Sequence, residues 1–175
     1  MPETRRCKVC KSEFVRYTTI QNKCIPCAIE KGREAQAKER RKDTRRRKEK
    51  LKTRSDWLRE AQTAFNAYIR ERDKDENCIS CGRQPRKRNA GHYRSVGSAP
   101  ELRFSELNCH LQCEHCNTYK SGNQADYRLA LVGRIGESNL AWVEGPHQPQ
   151  KWTIDEIIEI KAYYKQQLKI LKQGE

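Results

Sequence analysis

The sequence has little apolar material and no long apolar run. Hydrophobic residues make up only 35% of the 175 positions and charged residues 34%, which argues against a large core and favours a small one stabilised by metal. No apolar segment approaches the ~18 residues that cross a membrane, and the N-terminal segment lacks the apolar stretch of a signal peptide. We therefore expect a cytoplasmic protein with no membrane partner.

Acidic residues are also scarce, with 23 Asp and Glu against 37 Lys and Arg, for a formal net charge of +14. This excess of positive charge predicts a polyanionic partner. Nucleic acid is favoured over an anionic membrane because the sequence has no lipidation signal and no lipid-facing stripe.

The nine cysteines are arranged for metal binding rather than for disulfides. Eight of them form four Cys-x2-Cys pairs, the usual spacing of zinc ligands: Cys7/Cys10, Cys24/Cys27, Cys78/Cys81 and Cys113/Cys116. We expect two structural zinc ions, which have no open position for catalysis when four cysteines hold them. The ninth, Cys109, is predicted to be a buried free thiol, with the alternative that it displaces Cys113 as a ligand.

The composition divides the chain into four segments. Residues 1–30 are predicted to form a zinc ribbon, a short hairpin closed by the first four cysteines. Residues 31–54, with 13 basic and four acidic residues, are predicted to form a helical linker or arm. This arm is either a solvated tether or a surface that binds DNA phosphates, the candidates being Arg45, Arg46, Arg47 and Lys48.

Residues 55–136 are predicted to contain a helix followed by a zinc-stapled core. Ser55 is the expected N-cap of that helix, whose apolar face would pack on the core. Residues 137–175 are predicted to form a loop and a C-terminal helix that opens with a capping box at Thr153 and Glu156. The apolar face of this last helix would either close the core or pair with a second copy in a homodimer.

Within the core, the two cysteine pairs pin a loop that carries His92 and Asn108, and Asn117 directly follows the last cysteine. Gly82 follows Cys81 where a zinc knuckle needs a left-handed residue. A strand ending near His92, a return segment and a helix starting near Cys113 would bring His92 and Asn117 together. The fold class that we expect is α+β.

Several motifs resemble a known family. Ala90-Gly-His92-Tyr, Asn108 and Cys113-x2-Cys116-Asn117-x2-Lys120-Ser-Gly are similar to the HNH, or ββα-metal, nucleases that carry a four-cysteine zinc. The whole layout resembles the lambdoid-phage NinG/Rap recombination proteins. That resemblance implies a phage-encoded endonuclease that cuts branched DNA such as Holliday junctions and D-loops, with a core like that of endonuclease VII.

The same resemblance implies roles for individual residues. His92 would be the general base, Asn117 a ligand of catalytic Mg²⁺ (or Mn²⁺), and Asn108 a buttress that orients His92. Many HNH enzymes have an acidic residue or a histidine before the catalytic histidine, where this chain has Gly91. Candidates to replace that ligand, and to hold DNA phosphates near the site, lie elsewhere in the core: Asn89, His110 and Ser121 for the metal, and Arg94, Arg103 and Lys120 for phosphates.

Two other functions remain open on the sequence. A non-catalytic zinc-containing DNA-binding adaptor for recombination would keep the arm and both zinc sites, and its core would have lost the catalytic metal. A general nicking or homing-type HNH nuclease is less favoured.

Overall fold

The computed structural model describes residues 3–174. The chain forms two compact units, Met1–Lys52 and Thr53–Glu175. Together they are mixed α+β, with one small antiparallel sheet in each unit. None of the helices within the described residues is long and apolar enough to cross a membrane.

The first unit is a two-stranded hairpin followed by a long helix. Strand β1 (Thr4–Arg6) pairs with β2 (Glu13–Val15), and helix α1 (Ile25–Lys50) follows directly after Cys24. The helix therefore starts inside the segment assigned to the ribbon and continues through most of the basic arm. It has no buried residue, because the sequence of the arm offers almost no apolar side chain to pack.

The second unit begins with helix α2 (Arg54–Arg72) and ends with α5 (Ile154–Gln173). The N-cap of α2 is Thr53, which forms a capping box with Asp56, so the prediction of Ser55 is wrong by two residues. The capping box predicted at Thr153 and Glu156 is confirmed at the start of α5.

Helices α2 and α5 pack on each other and form the main core. Phe65 and Ile69 of α2 are fully buried against Ile157 and Tyr164 of α5. The Phe65 and Tyr164 rings meet edge to face with centroids 4.8 Å apart. The apolar face of the C-terminal helix thus closes the core within one chain.

Between these helices the chain forms a second hairpin, β3 (Arg88–His92) with β4 (Cys109–Cys113). Side chains alternate between the two faces of a strand, so Ala90, His92 and Cys109 lie on one face and Gly91 and His110 on the other. The first face packs against α2. The second contacts Tyr127 of helix α3 (Gln124–Ile135), whose hydroxyl donates to Gly91 O at 2.9 Å.

The helix predicted to start near Cys113 is only a short turn. A single π-helical turn, His115–Tyr119, carries Asn117 and ends before three residues with positive φ: Ser121, Gly122 and Asn123. Helix α4 (Glu137–Glu144) then occupies part of the segment predicted to be a loop, and Leu140 packs on Leu131 of α3.

Candidate functional site

The four cysteine pairs assemble into two clusters that could hold zinc. Within each cluster all four sulfur atoms lie within 4.8 Å of one another. Cys10 Sγ is 3.7 Å from Cys24 Sγ, and Cys81 Sγ is 3.9 Å from Cys113 Sγ. A tetrahedron with Zn–S bonds of about 2.3 Å has edges of about 3.8 Å, so the spacing fits that ion.

Backbone N–H groups donate to Cys7, one of the four sulfur atoms of the first cluster. Val9 N and Cys24 N each donate to Cys7 Sγ at 3.4 Å. Burial raises the pKa of the Cys7 thiol, but these backbone hydrogen bonds and that of Cys10 lower it to about 6 overall. The anionic form that binds metal is thereby favoured.

The remaining cysteine, Cys109, belongs to neither cluster and is a fully buried free thiol, as predicted. Burial raises the pKa of this thiol strongly, so it stays protonated. Cys113 keeps its place in the second cluster.

That second cluster stands beside a cavity of 440 Å³ in the same unit. His92 and Asn117, which the sequence predicted to meet, both line it. Arg103 contributes the cationic side chain, and none of the described residues that line the cavity carries a carboxylate. The cavity is therefore suited to an anion such as a phosphodiester.

His92 is oriented by a main-chain carbonyl. Its Nε2 lies 2.9 Å from Arg103 O. A carbonyl only accepts, so Nε2 carries the proton and Nδ1 keeps its lone pair. Cys109 Sγ, a weak partner at 3.7 Å, is the neighbour of Nδ1. Burial lowers the pKa of His92 below its ordinary value, which keeps the imidazole in the neutral form that can accept a proton.

Asn108 is fully buried and holds the segment that follows His92. Its Oδ1 accepts from Arg94 N at 2.8 Å, and its Nδ2 donates to Arg94 O at 3.0 Å and to Leu102 O at 3.3 Å. Its main-chain oxygen accepts from Tyr93 N at 2.8 Å. Asn108 thus holds Tyr93, which follows His92, and Leu102, which precedes Arg103. Arg103 is the residue whose carbonyl orients His92.

The structure does not bring His110 or Asn89 to the cavity. His110 lies on the opposite face of the hairpin from His92, with Nδ1 3.3 Å from Tyr127 Oη. Burial, followed by the charges of Arg72 and Arg134, lowers the pKa of His110 to about 3. Asn89 shares that opposite face, whereas Ser121 does line the cavity.

The predicted phosphate-binding residues fall into four places. Arg103 lines the cavity, and Lys120 is exposed at the end of the π-helical turn. Arg94 instead donates to Val143 O and Gly145 O, both at 3.0 Å, and so holds the end of α4. The arm residues are exposed along α1: Arg45, Arg46, Arg47 and Lys48.

Sequence reasoning missed residues that contribute to this site. Gln62 and Asn66 line the cavity from the polar side of α2. They lie four residues apart, and Gln62 Nε2 donates a hydrogen bond to Asn66 Oδ1 at 2.8 Å. Asp73 is fully buried and accepts from Leu111 N at 3.0 Å while pairing with Arg72 and Arg134. Asp73 thus connects α2, β4 and α3 beneath the hairpin that β3 and β4 form.

The oxygen donors near the cavity suit a hard divalent cation. Such an ion takes oxygen ligands and often keeps only one or two from protein, with water and phosphate supplying the rest. Among the described residues that line the cavity, Asn117 offers one carboxamide oxygen and none offers a carboxylate. Asn117 would therefore be the protein ligand of such a cation, with water and phosphate completing its shell.

Comparison with known proteins matches the whole chain. The family model described as "Bacteriophage Lambda NinG protein" matches residues 1–175. The chain is 42% identical over 191 residues to "Protein ninG" of Escherichia phage 933W, covering 98% of this chain and 95% of that protein. It is 42% identical over 193 residues to protein ninG of Escherichia phage lambda, with the same coverage.

A third relative, protein ninG of Salmonella phage P22, is 50% identical over 127 residues, or 72% of this chain and 63% of that protein. No solved structure matches the chain significantly.

Proposed function

This chain belongs to the family of bacteriophage NinG proteins, and from that premise we propose that it is a metal-dependent endonuclease that cuts branched DNA. The observation that carries the proposal is the meeting of His92, Asn117 and Arg103 at one cavity, beside a cluster that could hold structural zinc. Those residues have the chemistry of a base, a metal ligand and a phosphate-binding cation. The hairpin of β3 and β4, together with the π-helical turn His115–Tyr119 that follows it, would form an HNH-like, ββα-metal core.

The reaction that these residues suit is hydrolysis of a phosphodiester. Arg103 would bind a phosphate oxygen through its guanidinium. His92 would accept the proton of the attacking water at Nδ1, because Nε2 donates to Arg103 O and cannot act as the base. Mg²⁺ or Mn²⁺ bound at Asn117 would supply Lewis-acid stabilisation of the phosphate charge.

Asn108 is proposed as a positioning residue rather than a reacting one. It does not line the cavity, and its three side-chain hydrogen bonds go to Arg94 and Leu102 on either side of the loop after His92. Holding that loop fixes the direction of the Arg103 carbonyl and hence the tautomer of His92. Lys120 is exposed at the end of the π-helical turn and would contact the DNA backbone on either side of the cleaved phosphate.

The arm would supply affinity without sequence preference. Helix α1 presents Arg45, Arg46, Arg47 and Lys48 to solvent with no apolar face to occupy them. Basic residues on such a surface displace counterions from DNA phosphates. The resemblance to junction-resolving enzymes supports the preference for Holliday junctions or D-loops. The proposed location is the cytoplasm of the bacterial host.

Coordinated cutting of two strands would require a homodimer. Since the buried face of α5 is used within the chain, the exposed side of the helix, with Tyr163 51% exposed and Ile170 51% exposed, is the proposed contact. Sedimentation equilibrium that finds only monomer with and without junction DNA would remove this part of the proposal.

A second candidate function is a non-catalytic DNA-binding adaptor for recombination. The observation in its favour is the lack of any carboxylate among the described residues that line the cavity, because catalytic Mg²⁺ is usually held by one or two. The adaptor would bind the same DNA through the arm and use its zinc clusters only for folding.

Incubating the purified full chain with a four-way junction and with linear duplex of the same sequence separates these functions. The nuclease predicts cutting of the junction in Mg²⁺ or Mn²⁺, slower cutting of the duplex, and none in EDTA. Tight junction binding without cleavage in any divalent cation would contradict the nuclease and establish the adaptor.

A further inference from the structure

A second hollow, which we call the α2 recess, lies beside the cavity along helix α2. It has a volume of 300 Å³ and shares Gln62, Asn66 and Arg103 with the cavity that His92 and Asn117 line. Arg103 Nη1 donates to Gln62 Oε1 at 3.4 Å, at the border between the two. A strand that leaves the cavity past these three side chains therefore enters the α2 recess.

The polar side chains that α2 contributes to this recess form one stripe. They recur at steps of three or four residues, which puts them on one side of the helix: Ser55, Arg59, Gln62, Thr63 and Asn66. Their hydroxyl, amide and guanidinium groups are those with which proteins contact the phosphates and sugars of DNA. Ser55, Arg59 and Thr63 are exposed and can be reached from solvent.

The acidic residues of α2 lie outside this recess. Glu60 pairs with Lys161 of α5 at 2.6 Å, and Glu71 pairs with Lys172 of α5 at 3.7 Å. None of the described residues that line the recess is acidic. The charge of α2 is thus divided, with two of its carboxylates turned to α5 and the stripe left without one.

Two cations line the recess, Arg59 and Arg103. Arg59 pairs with Asp56 at 3.0 Å, but its side chain is 74% exposed, and an exposed ion pair of this kind is weak enough for a phosphate to replace it. Burial and the charge of Arg54 lower the pKa of Arg103, which shows that the two guanidinium groups repel each other. A bound anion would relieve that repulsion.

The other end of the cavity has the opposite charge. A hollow of 520 Å³ there shares three polar residues with the cavity: Ser95, Ser121 and Gln124. It is also lined by Glu144, whose pKa is lowered by hydrogen bonds from Arg128 and Tyr93, so that the carboxylate is ionised and repels phosphate. Its cation, Arg94, is held by main-chain carbonyls.

This difference in charge indicates the path of the substrate. We propose that the DNA strand to be cut continues from the cavity into the α2 recess, where Arg59 binds the phosphate next to the one that Arg103 holds. The hydroxyl and amide groups of the same stripe contact the sugar–phosphate backbone, so the recess adds affinity without sequence preference. The inference rests on the proposed function, because the phosphate at Arg103 is the one that is cleaved.

The stripe is long enough for this contact. Arg59 and Asn66 are seven residues apart, which is about 10 Å along the helix. One strand of DNA has a phosphate about every 3.4 Å along the duplex axis. Two consecutive phosphates therefore fit between the cavity border and Arg59.

Binding of four-way junctions that each carry one uncharged methylphosphonate tests this without any reference to cleavage. Fluorescence anisotropy of the full-length protein, in buffer without added Mg²⁺, gives the affinity for each position of the methylphosphonate. In wild type, neutralising the phosphate that Arg59 binds should weaken affinity at least about fivefold. In Arg59→Ala the same methylphosphonate should change affinity less than about twofold, because the contact is already lost.

The same scan with Arg103→Ala identifies the phosphate that Arg103 binds. It should be the immediate neighbour, on the same strand, of the phosphate coupled to Arg59. Arg59→Ala should also lower the slope of log affinity against log salt by about 0.9, the value for one phosphate.

The matched control is Arg128→Ala, which removes an exposed arginine that also pairs with a carboxylate, at the other end of the cavity. It is expected to leave the junction affinity, the salt slope and every methylphosphonate effect unchanged. Both Arg59 and Arg128 are exposed, so neither variant should lose its fold, and circular dichroism verifies this.

Methylphosphonate effects in Arg59→Ala that equal those of wild type at every position would overturn the inference. So would a phosphate coupled to Arg59 on a different strand from that of Arg103, or an equal loss of affinity in Arg59→Ala and Arg128→Ala. Failure of the wider function has a different signature. Coupling of Arg59 to one phosphate in a protein that cuts no DNA keeps the strand path and rejects the nuclease. Junction cleavage by an Arg59→Ala protein of wild-type affinity keeps the nuclease and rejects the path.

Discussion

His92 Nε2 and the carbonyl oxygen of Arg103 lie 2.9 Å apart, across the loop that Asn108 holds at both ends. This single hydrogen bond determines which imidazole nitrogen is basic. It also joins the proposed base to the residue whose guanidinium lines the same cavity, so that one short loop sets both the base and the phosphate-binding group.

The pH dependence of cleavage should reflect the lowered pKa of His92. The base works as the neutral imidazole, and burial shifts the pKa down, so the neutral form persists to a lower pH than in free histidine. We expect the single-turnover rate in saturating Mg²⁺ to rise with pH and level off, with a midpoint below about 6.5. A midpoint above about 7 would mean that another group is titrating.

Replacing Asn108 should damage both stability and cleavage. Asn108→Ala leaves the N–H and C=O of Arg94 and the C=O of Leu102 without their buried partner, which we expect to cost about 2–4 kcal/mol in unfolding free energy. At a temperature where the variant is folded, cleavage should still fall, since the Arg103 carbonyl is no longer held.

Urea unfolding and single-turnover cleavage measure the two effects separately. Asn139→Ala is the control, because its side chain makes an exposed hydrogen bond to Ile135 O. Loss of stability with an unchanged cleavage rate in Asn108→Ala would reduce Asn108 to a purely structural residue.

Asp73 should be the main source of acid sensitivity in the second unit. Burial would raise the pKa of this carboxyl, but Arg72, Arg134 and the N–H of Leu111 lower it overall. A lowered pKa gives stability that is present above the unfolded value of about 3.9 and is lost as pH falls through the folded value. Asp73→Asn is expected to cost about 3–5 kcal/mol at neutral pH.

Urea titrations of wild type and Asp73→Asn at neutral pH and at about pH 2.5 check this, because the difference in unfolding free energy should shrink at the lower pH, where loss of zinc affects both proteins alike. The exposed Glu159 provides the control, as Glu159→Gln should change unfolding free energy by less than about 0.5 kcal/mol. An Asp73→Asn variant as stable as the control would show that the network is dispensable.

The basic arm predicts a steep salt dependence of DNA binding. Changing Arg45, Arg46, Arg47 and Lys48 to alanine should reduce the slope of log affinity against log salt by up to about 3.6, at roughly 0.9 for each phosphate that is no longer neutralised. Fluorescence anisotropy at several salt concentrations measures it. The control replaces the exposed Lys165 and Lys169 of α5 with alanine. An equal decrease of slope in that variant would show that the arm contributes no more to DNA binding than other basic surface does.

Local patterns predicted much of this structure. Cysteine spacing predicted both four-cysteine clusters, and the capping box predicted the start of α5, because each signal depends on residues only a few positions apart. The start of α2 was misplaced because Thr53 and Ser55 are both good caps. Only the partner Asp56, three residues after Thr53, distinguishes them.

Features that depend on packing between distant segments were out of reach. The short helix α4 follows Gly136, and its Leu140 becomes apolar core only against α3. Gln62 and Asn66 have the pattern of the polar side of α2, and only the folded chain places them at the cavity. Gln112 is a polar residue in the sequence, and only the folded chain shows that its side chain is fully buried beside Gly91.

His92 and Asn117, in contrast, were predictable to lie together. The second cysteine cluster closes a loop that contains His92 and is followed directly by Asn117, and the strand expected to end near His92 brings the two residues to the same place. Their chemistry at the cavity, and not their proximity, is what experiment has to decide.

The most direct test of the account is the single-turnover cleavage rate of a four-way junction by His92→Ala, at saturating protein and Mg²⁺. Loss of a general base predicts a rate about 10²–10⁴-fold below wild type, with junction affinity and two zinc ions per chain retained. A His92→Ala protein that cuts the junction within about tenfold of the wild-type rate would contradict the assignment of this cavity as the active site.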